Sequence, residues 1–323
     1  MKYLLMALLG LTLASTAQAG PLVVKFAHVV AENTPKGQAA LLFEKLAEEK
    51  LPGKVDVQIF PNGQLYNDND VLLALLKGDV QLAAPALSKF SKFTDELQLY
   101  DLPFLFTDLA AVDCFQQSGP GQGMLRSMMD KGIFGLAYWH NGMKQLSASQ
   151  PLTVPADAAG LKFRIMSSDV LQAQFLALDA NPQKMAFTEV YQALQAGTVD
   201  GQENTWSNIY SKKFYEVQPA ITESNHGLLD YMVVTSTRFW KGLPYEIRAG
   251  LTEALTEATR EGNRLSDDEN LAARQAIEAT GKTRIIELSD EQRAQWRTAM
   301  QPVWNQFRAE IGPSLVDAAA ACN

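Results

Sequence analysis

Two α/β units followed by a helical last third are predicted by three features of this 323-residue chain. Strand and helix patterns alternate from Leu22 to Pro85, the alternation restarts after about residue 155, and a helical stretch runs almost unbroken from Pro244 to about Thr280. Alternation of this kind belongs to sheets that are mostly parallel, with helices packed on their faces.

The first unit opens with Leu22-Val23-Val24-Lys25-Phe26-Ala27, an apolar, β-rich run. Asn33-Thr34-Pro35 supplies a cap and a proline suited to a first helical turn, and Ala39, Leu42, Phe43 and Leu46 then share one helical face. Val55, Val57 and Ile59 alternate with Asp56 and Gln58 as a strand, ended by the turn Pro61-Asn62-Gly63. Asp70 to Lys77 reads as a helix stopped by Gly78, and Gln81 to Pro85 as a short strand.

Ile133 to Trp139 is strand-like, and a joint rich in Ser, Pro and Ala is expected near residues 140–155. The second unit has a strand at Leu161–Ile165 and a helix capped by Ser167 or Ser168 that carries Leu171, Gln174, Phe175 and Leu178. Another helix is expected after Met185-Ala186-Phe187, capped by Thr188 and stopped at Gly197. A continuous helix of about 36 residues after Pro244 would measure about 54 Å, enough to bridge both units. Ser289-Asp290-Glu291-Gln292 is a capping box, and Pro302 should kink the helix that it opens.

At 47% hydrophobic and 20% charged residues the composition excludes a disordered chain, and two cysteines exclude a disulfide-stapled mini-protein. Met1-Lys2, the apolar run Leu4–Ala14 and Ala17-Gln18-Ala19 have the layout of a secretory signal peptide over residues 1–19. Eleven apolar residues rise only about 16 Å as a helix, too little for a bilayer core of about 30 Å. Loss of Lys2 with the leader takes the formal net charge from −8 to −9. Such a balance argues against nucleic acid or an anionic membrane as partner, because both demand a basic face. In an exported protein Cys114 and Cys322 can pair, and their spacing alone leaves a bridge and two separate thiols equally open.

The chain lacks Cys-x-x-Cys, His-Glu-x-x-His and Gly-x-Ser-x-Gly, so no metal ligand set, catalytic group or cofactor motif is expected. Gly119-Pro120-Gly121-Gln122-Gly123 has neither the spacing nor the flanks of a phosphate loop and reads as a loop and helix start. Arg164 stands out, inside the apolar strand Leu161-Lys162-Phe163-Arg164-Ile165 and just before two serines. A guanidinium there needs a partner, and a carboxylate fits its fork in a bidentate way. On these residues alone, a carboxylate of the protein itself is the simpler partner.

Gly160-Leu161-Lys162-Phe163-Arg164-Ile165, Met185-Ala186-Phe187-Thr188-Glu189-Val190-Tyr191-Gln192-Ala193-Leu194-Gln195 and Val199-Asp200-Gly201-Gln202-Glu203-Asn204 resemble the signature segments of TRAP-transporter periplasmic solute-binding subunits. The similarity covers nearly the whole chain after the leader. His28 to Gly37, Ser88-Lys89-Phe90, Asn141-Gly142-Met143-Lys144 and Ser207-Asn208-Ile209-Tyr210 are similar to the DctP-type branch, which takes four-carbon dicarboxylates. The resemblance implies a two-lobed periplasmic-binding-protein fold with an interlobe cleft and a long C-terminal helix spanning both lobes. The first lobe would be 22–140 with 231–269, and the second 141–230 with 270–323. It further implies a monomer that closes on a small organic dicarboxylate and delivers it to membrane-embedded TRAP permease subunits.

In that family an arginine matching Arg164 clamps a ligand carboxylate, and Asn204 and Phe187 match positions that line the same pocket. Lys144 departs from the sialic-acid-binding relatives, which carry an arginine there; a lysine cannot form the same planar fork. Candidates to hold a second carboxylate are Lys36, Ser88, Lys89, His28 and Asn208, although Lys36 and Lys89 could equally be solvated and Ser88 a helix cap. A sensory receptor of the same fold, or a binder of a monocarboxylate or keto acid, stays open at this point.

Overall fold

The computed structural model describes residues 20–323, so the leader read at 1–19 lies outside the described residues. The first elements in chain order are β1 (Leu22–Ala27), α1 (Pro35–Lys50), β2 (Val55–Phe60), α2 (Val71–Lys77), β3 (Leu82–Ala83), α3 (Leu109–Gln117), α4 (Gly119–Met124) and β4 (Ile133–Ala148). Then come β5 (Lys162–Ile165), α5 (Asp169–Leu176), β6 (Asn181–Lys184), α6 (Val190–Gln195), β7 (Gly201–Asn204), α7 (Trp206–Ser211) and β8 (Ala220–Ser236). The chain ends with α8 (Thr237–Gly242), α9 (Tyr245–Thr280), β9 (Arg284–Glu287), α10 (Asp290–Met300), α11 (Pro302–Ile311) and α12 (Pro313–Ala320). No described helix is long and apolar enough to cross a membrane.

The nine strands form one sheet in the order β2-β1-β3-β8-β4-β7-β5-β6, with β9 beside β8. At one end β1 lies parallel to β2 and β3, and at the other β5 lies parallel to β6 and β7. These are the two α/β units expected from the alternation. They are joined by β4 and β8, an antiparallel pair in register from Ile133 opposite Ser236 to Ala148 opposite Ala220. The expected polar joint is therefore corrected. Through Ala148 it is strand, since both units hydrogen-bond to the same crossing ladder, and slips at Gly135/Ala137, His140/Gly142 and Lys144/Leu146 bend the pair. Gly142, at φ +134°, sits in the middle of those slips, where a Cβ would meet the Asn270 amide at 2.9 Å.

Helix α9 straps the crossing. Leu251, Ala254, Leu255 and Ala258 pack with Ala39, Ala40 and Phe43 of α1, whereas Ala273 and Ile277 join Trp206 and Ile209 of the second unit. Gly262 is there for contact: a Cβ on it would approach that of Ala39 to 2.7 Å. Asn263 accepts from the His140 N–H at 2.9 Å, and Asn270 donates to the Asn141 carbonyl.

Local signals behaved as physical chemistry requires. Thr34, Ser168 and Ser289 each accept a backbone N–H as helix caps, and Gly78 ends α2 in the left-handed region at φ 91°. Gly119 opens α4 behind the Ser118 cap. Thr188 is not a cap; a 3-10 turn at Phe187–Glu189 intervenes, and the Glu189 carboxylate accepts from the Ala186 N–H. On α1, Leu42 and Leu46 are only half-buried while Ala40 and Ala47 are inside, because the face is set by α9 as well as by the sheet.

The tail, expected with the second lobe over 270–323, touches both units. Trp296 of α10 donates to Thr153 on the second unit. Val303, Phe307 and Ile311 of α11 and Val316 of α12 share a cluster with Leu97, Leu99 and Phe115 of the first unit and with Val170 of α5. Cys322 is disulfide-bonded to Cys114 of α3 with Cα atoms 5.7 Å apart, which ties the end of the tail to the first unit.

Candidate functional site: the interlobe cleft

Arg164 lies near the carboxyl end of β5, where parallel strands of α/β sheets leave a crevice for ligands. Neighbouring Phe163 turns to the opposite face, against Phe175 with ring centroids 4.8 Å apart. The Arg164 side chain is 1% exposed, and its Nε and Nη2 both donate to the Met185 carbonyl, at 3.1 and 2.9 Å. A guanidinium has five N–H donors, so the Nη1–Nη2 edge keeps the fork that takes a carboxylate. Among the described residues no carboxylate lies within ion-pair distance of it. Burial lowers its pKa to about 10 despite Glu203, Asp68 and Glu189 nearby, so it stays charged at neutral pH.

That side chain forms part of a small, narrow cavity between the lobes. Phe187, Asn204 and Asn208 contribute from the second lobe, with the guanidinium 5.8 Å from the Phe187 ring centre. Asn208 donates to Oδ1 of Asn204 at 2.8 Å, which leaves the Asn204 amide N–H groups for other acceptors. The first lobe supplies Val29, Val30, Asp68 and Lys89, and β8 supplies Leu229 and Tyr231. Lys89 donates to Asn69 at 2.9 Å; burial, with help from Arg164, lowers its pKa to about 8 against the pull of Asp68 and Asp101.

Lys36 stands one layer back. Its ammonium lies 3.4 Å from the centre of the Tyr231 ring and donates to the Ala84 carbonyl at 2.8 Å, and burial lowers its pKa to about 8. The cleft mouth is held shut by contacts between lobes. Lys212 donates to Asn62 at 2.8 Å, and Ser167 to Asn69 at 3.3 Å.

Three expected site residues face elsewhere. Ser88 donates to Asp101 at 2.7 Å, away from the cavity wall. Lys144 is ion-paired with Glu203 at 2.9 Å, both side chains 1% exposed, and the other Glu203 oxygen meets His226 at 2.9 Å. Burial would raise the Glu203 carboxyl, but Lys144 and His226 outweigh it and hold it low. His28 is buried edge-on to Phe26, its ring nitrogens have no partner in the protein, and burial, with Lys36 nearby, lowers its pKa to about 3, so it is neutral. No described group of three or more His, Cys, Asp and Glu residues is placed to hold a metal ion.

Residues 26–310 match the family model for bacterial extracellular solute-binding protein, family 7 (DctP). The chain belongs to that family. It is 58% identical to the C4-dicarboxylate-binding periplasmic protein DctP of Shewanella loihica over 98% of this chain and 94% of that protein. It also superposes on a TRAP periplasmic solute-binding protein from Shewanella oneidensis with bound succinate. That match has a TM-score of 0.93 at 54% identity and covers 94% of this chain and 99% of that one. A second, from Pseudomonas aeruginosa with bound L-malate, gives 0.87 at 50% identity over 88% and 100%.

Two polar wall residues of this family 7 chain, beside the apolar ones, escaped sequence reasoning. Tyr231 sits inside a long apolar strand, where only the pairing with Trp139 and the seat of Lys36 set its ring at the cleft. Asp68 lies in Asn67-Asp68-Asn69-Asp70, a polar loop with no pattern to separate it from its neighbours.

Proposed function

We propose that this chain is the solute-binding subunit of a TRAP transporter that captures a C4-dicarboxylate such as succinate, malate or fumarate. One observation carries the reading: a buried guanidinium with its fork unpaired, in a cavity walled by both lobes and completed by a second cation, Lys89. A carboxylate on Arg164 and a second one toward Lys89 and the free amide N–H groups of Asn204 would use donors from both lobes. The solved relatives carrying succinate and L-malate support the size and charge of this ligand. The chain acts as a receptor rather than an enzyme, exported to the periplasm by its cleaved leader, and hands its ligand as a monomer to the membrane permease. The lobes that move are 22–140 with 231–269 and 141–230 with 270–301, and the tail 302–323 is tied at its end to the first.

The test is a thermal-shift screen of organic acids on the mature chain, followed by calorimetry. Succinate, malate or fumarate should bind at least tenfold tighter than butyrate, because a monoacid leaves a buried donor unpaired at a cost of about 1–3 kcal/mol. Equal affinity for butyrate and succinate would replace the diacid with a monocarboxylate or keto acid.

A further inference from the structure

Asp68 puts an acidic group into a cleft otherwise suited to anions. The residues around it in the loop before α2 are tied to one another. Asn67 donates to Asp70 at 2.9 Å and accepts from the Asn69 N–H at 2.8 Å, and Asn69 holds Lys89 and Ser167. Asp68 is 9% exposed and lines the cavity with Lys89 and Arg164, yet among the described residues its carboxylate takes no hydrogen bond and no ion pair.

Two physical consequences follow from that placement. Asp68 sets a carboxylate on the same wall as the cations Arg164 and Lys89, so a ligand carboxylate is kept away from that part of the wall. An ionised carboxylate also only accepts hydrogen bonds. Succinate and fumarate, whose polar atoms are all acceptors when ionised, can only repel it. A hydroxyl on the carbon chain can donate to it.

We infer that Asp68 is a specificity-determining residue that accepts a hydrogen bond from a 2-hydroxyl, so that the cleft selects a malate-type hydroxy diacid over an unsubstituted one. The inference rests on the diacid reading of the cleft. A fixed acceptor on one wall also reads chirality, because only one enantiomer can reach it while both carboxylates keep their places. Sites built to bond a substrate hydroxyl discriminate strongly against the analogue lacking it.

The experiment is calorimetry of the mature chain with L-malate, D-malate and succinate, repeated on Asp68→Leu and Asp68→Asn. The wild type should bind one malate enantiomer at least tenfold tighter than both the other enantiomer and succinate. In Asp68→Leu that enantiomer should weaken and succinate should tighten, so the ratio collapses toward one. Should the leucine variant not fold, Asp68→Asn decides, because its neutral carbonyl is a weaker acceptor and the ratio should fall about threefold. Equal binding of malate and succinate by the wild type, or a ratio that survives in the variant that folds, overturns the inference and leaves the diacid reading standing. A wild type that binds no diacid at all overturns both.

Discussion

Arg164 and Lys144 are both cations buried to 1% exposure near the crossing strands, and they have opposite fates. Lys144 is met at 2.9 Å by Glu203, which is itself fastened to His226, so its charge is used up inside the fold. The Arg164 guanidinium is anchored by one carbonyl and keeps its fork unpaired. A buried charge is costly unless it is paired. On the proposed reading Arg164 keeps a desolvation cost that an incoming carboxylate would relieve, whereas at Lys144 the pairing with Glu203 already offsets part of it. Burial and charge alone do not mark a ligand site; the missing partner does.

Breaking the comparison at its stronger end means Arg164→Ala. Loss of one partner of a buried ion pair costs about 3–5 kcal/mol, or roughly two to four decades in Kd. Calorimetry at micromolar protein should detect no diacid binding, while the melting temperature of the ligand-free chain holds or rises. Near-native affinity in this variant would take Arg164 out of the site.

The mirror experiment is Lys144→Met. Here stability should fall by about 3 kcal/mol, the lower end for a broken buried pair, because His226 can take up a proton and partly replace the lost ammonium. Urea unfolding would read that loss, and diacid affinity of the folded protein should change by less than tenfold. Abolished binding at undiminished stability would make Lys144 a ligand cation after all.

pH sharpens the contrast on the second cation. Lys89 and Lys36 both have pKa values lowered to about 8 by burial, and a bound dianion favours their charged forms. Affinity should therefore be full below pH 8 and fall as pH rises above it, by at most about tenfold per unit for each lysine that must take up a proton. Calorimetry at pH 9 in two buffers of different ionisation enthalpy should reveal proton uptake; a flat profile to pH 9.5 would remove both lysines from the ligand's field.

The smallest effect is on shape. A ligand that touches both lobes binds the closed form better, and only such a difference can shift the equilibrium between open and closed. Small-angle scattering should show a smaller radius of gyration with succinate than without, through contacts such as Lys212 with Asn62. An unchanged radius at saturation would mean that the cleft is preformed.

The caps Thr34, Ser168 and Ser289, the stop at Gly78 and the 36-residue α9 could be read in advance because their hydrogen bonds close within three or four residues. Arg164 was legible for a related reason: a guanidinium in an apolar strand is conspicuous without any knowledge of its surroundings. Its surroundings were not legible. Whether Lys144 or Arg164 would find a carboxylate depended on Glu203, 59 residues from Lys144 in sequence and brought close by the β4–β7 pairing. Ser88 looked like a donor for a ligand, but its hydroxyl donates to Asp101, and the seat of Lys36 on Tyr231 required β8 to return across the molecule. The bond between Cys114 and Cys322, 208 residues apart, which their spacing left open, ties the end of the tail to α3. By itself the sequence determined the alternating elements of the first unit, the strand and helix at 161–178, the long helix α9 and one conspicuous cation, since these follow from neighbours along the chain. The tertiary structure alone decided which charges are spent on the fold and which are left for a ligand, because that depends on partners that only the crossing strands bring within hydrogen-bond reach.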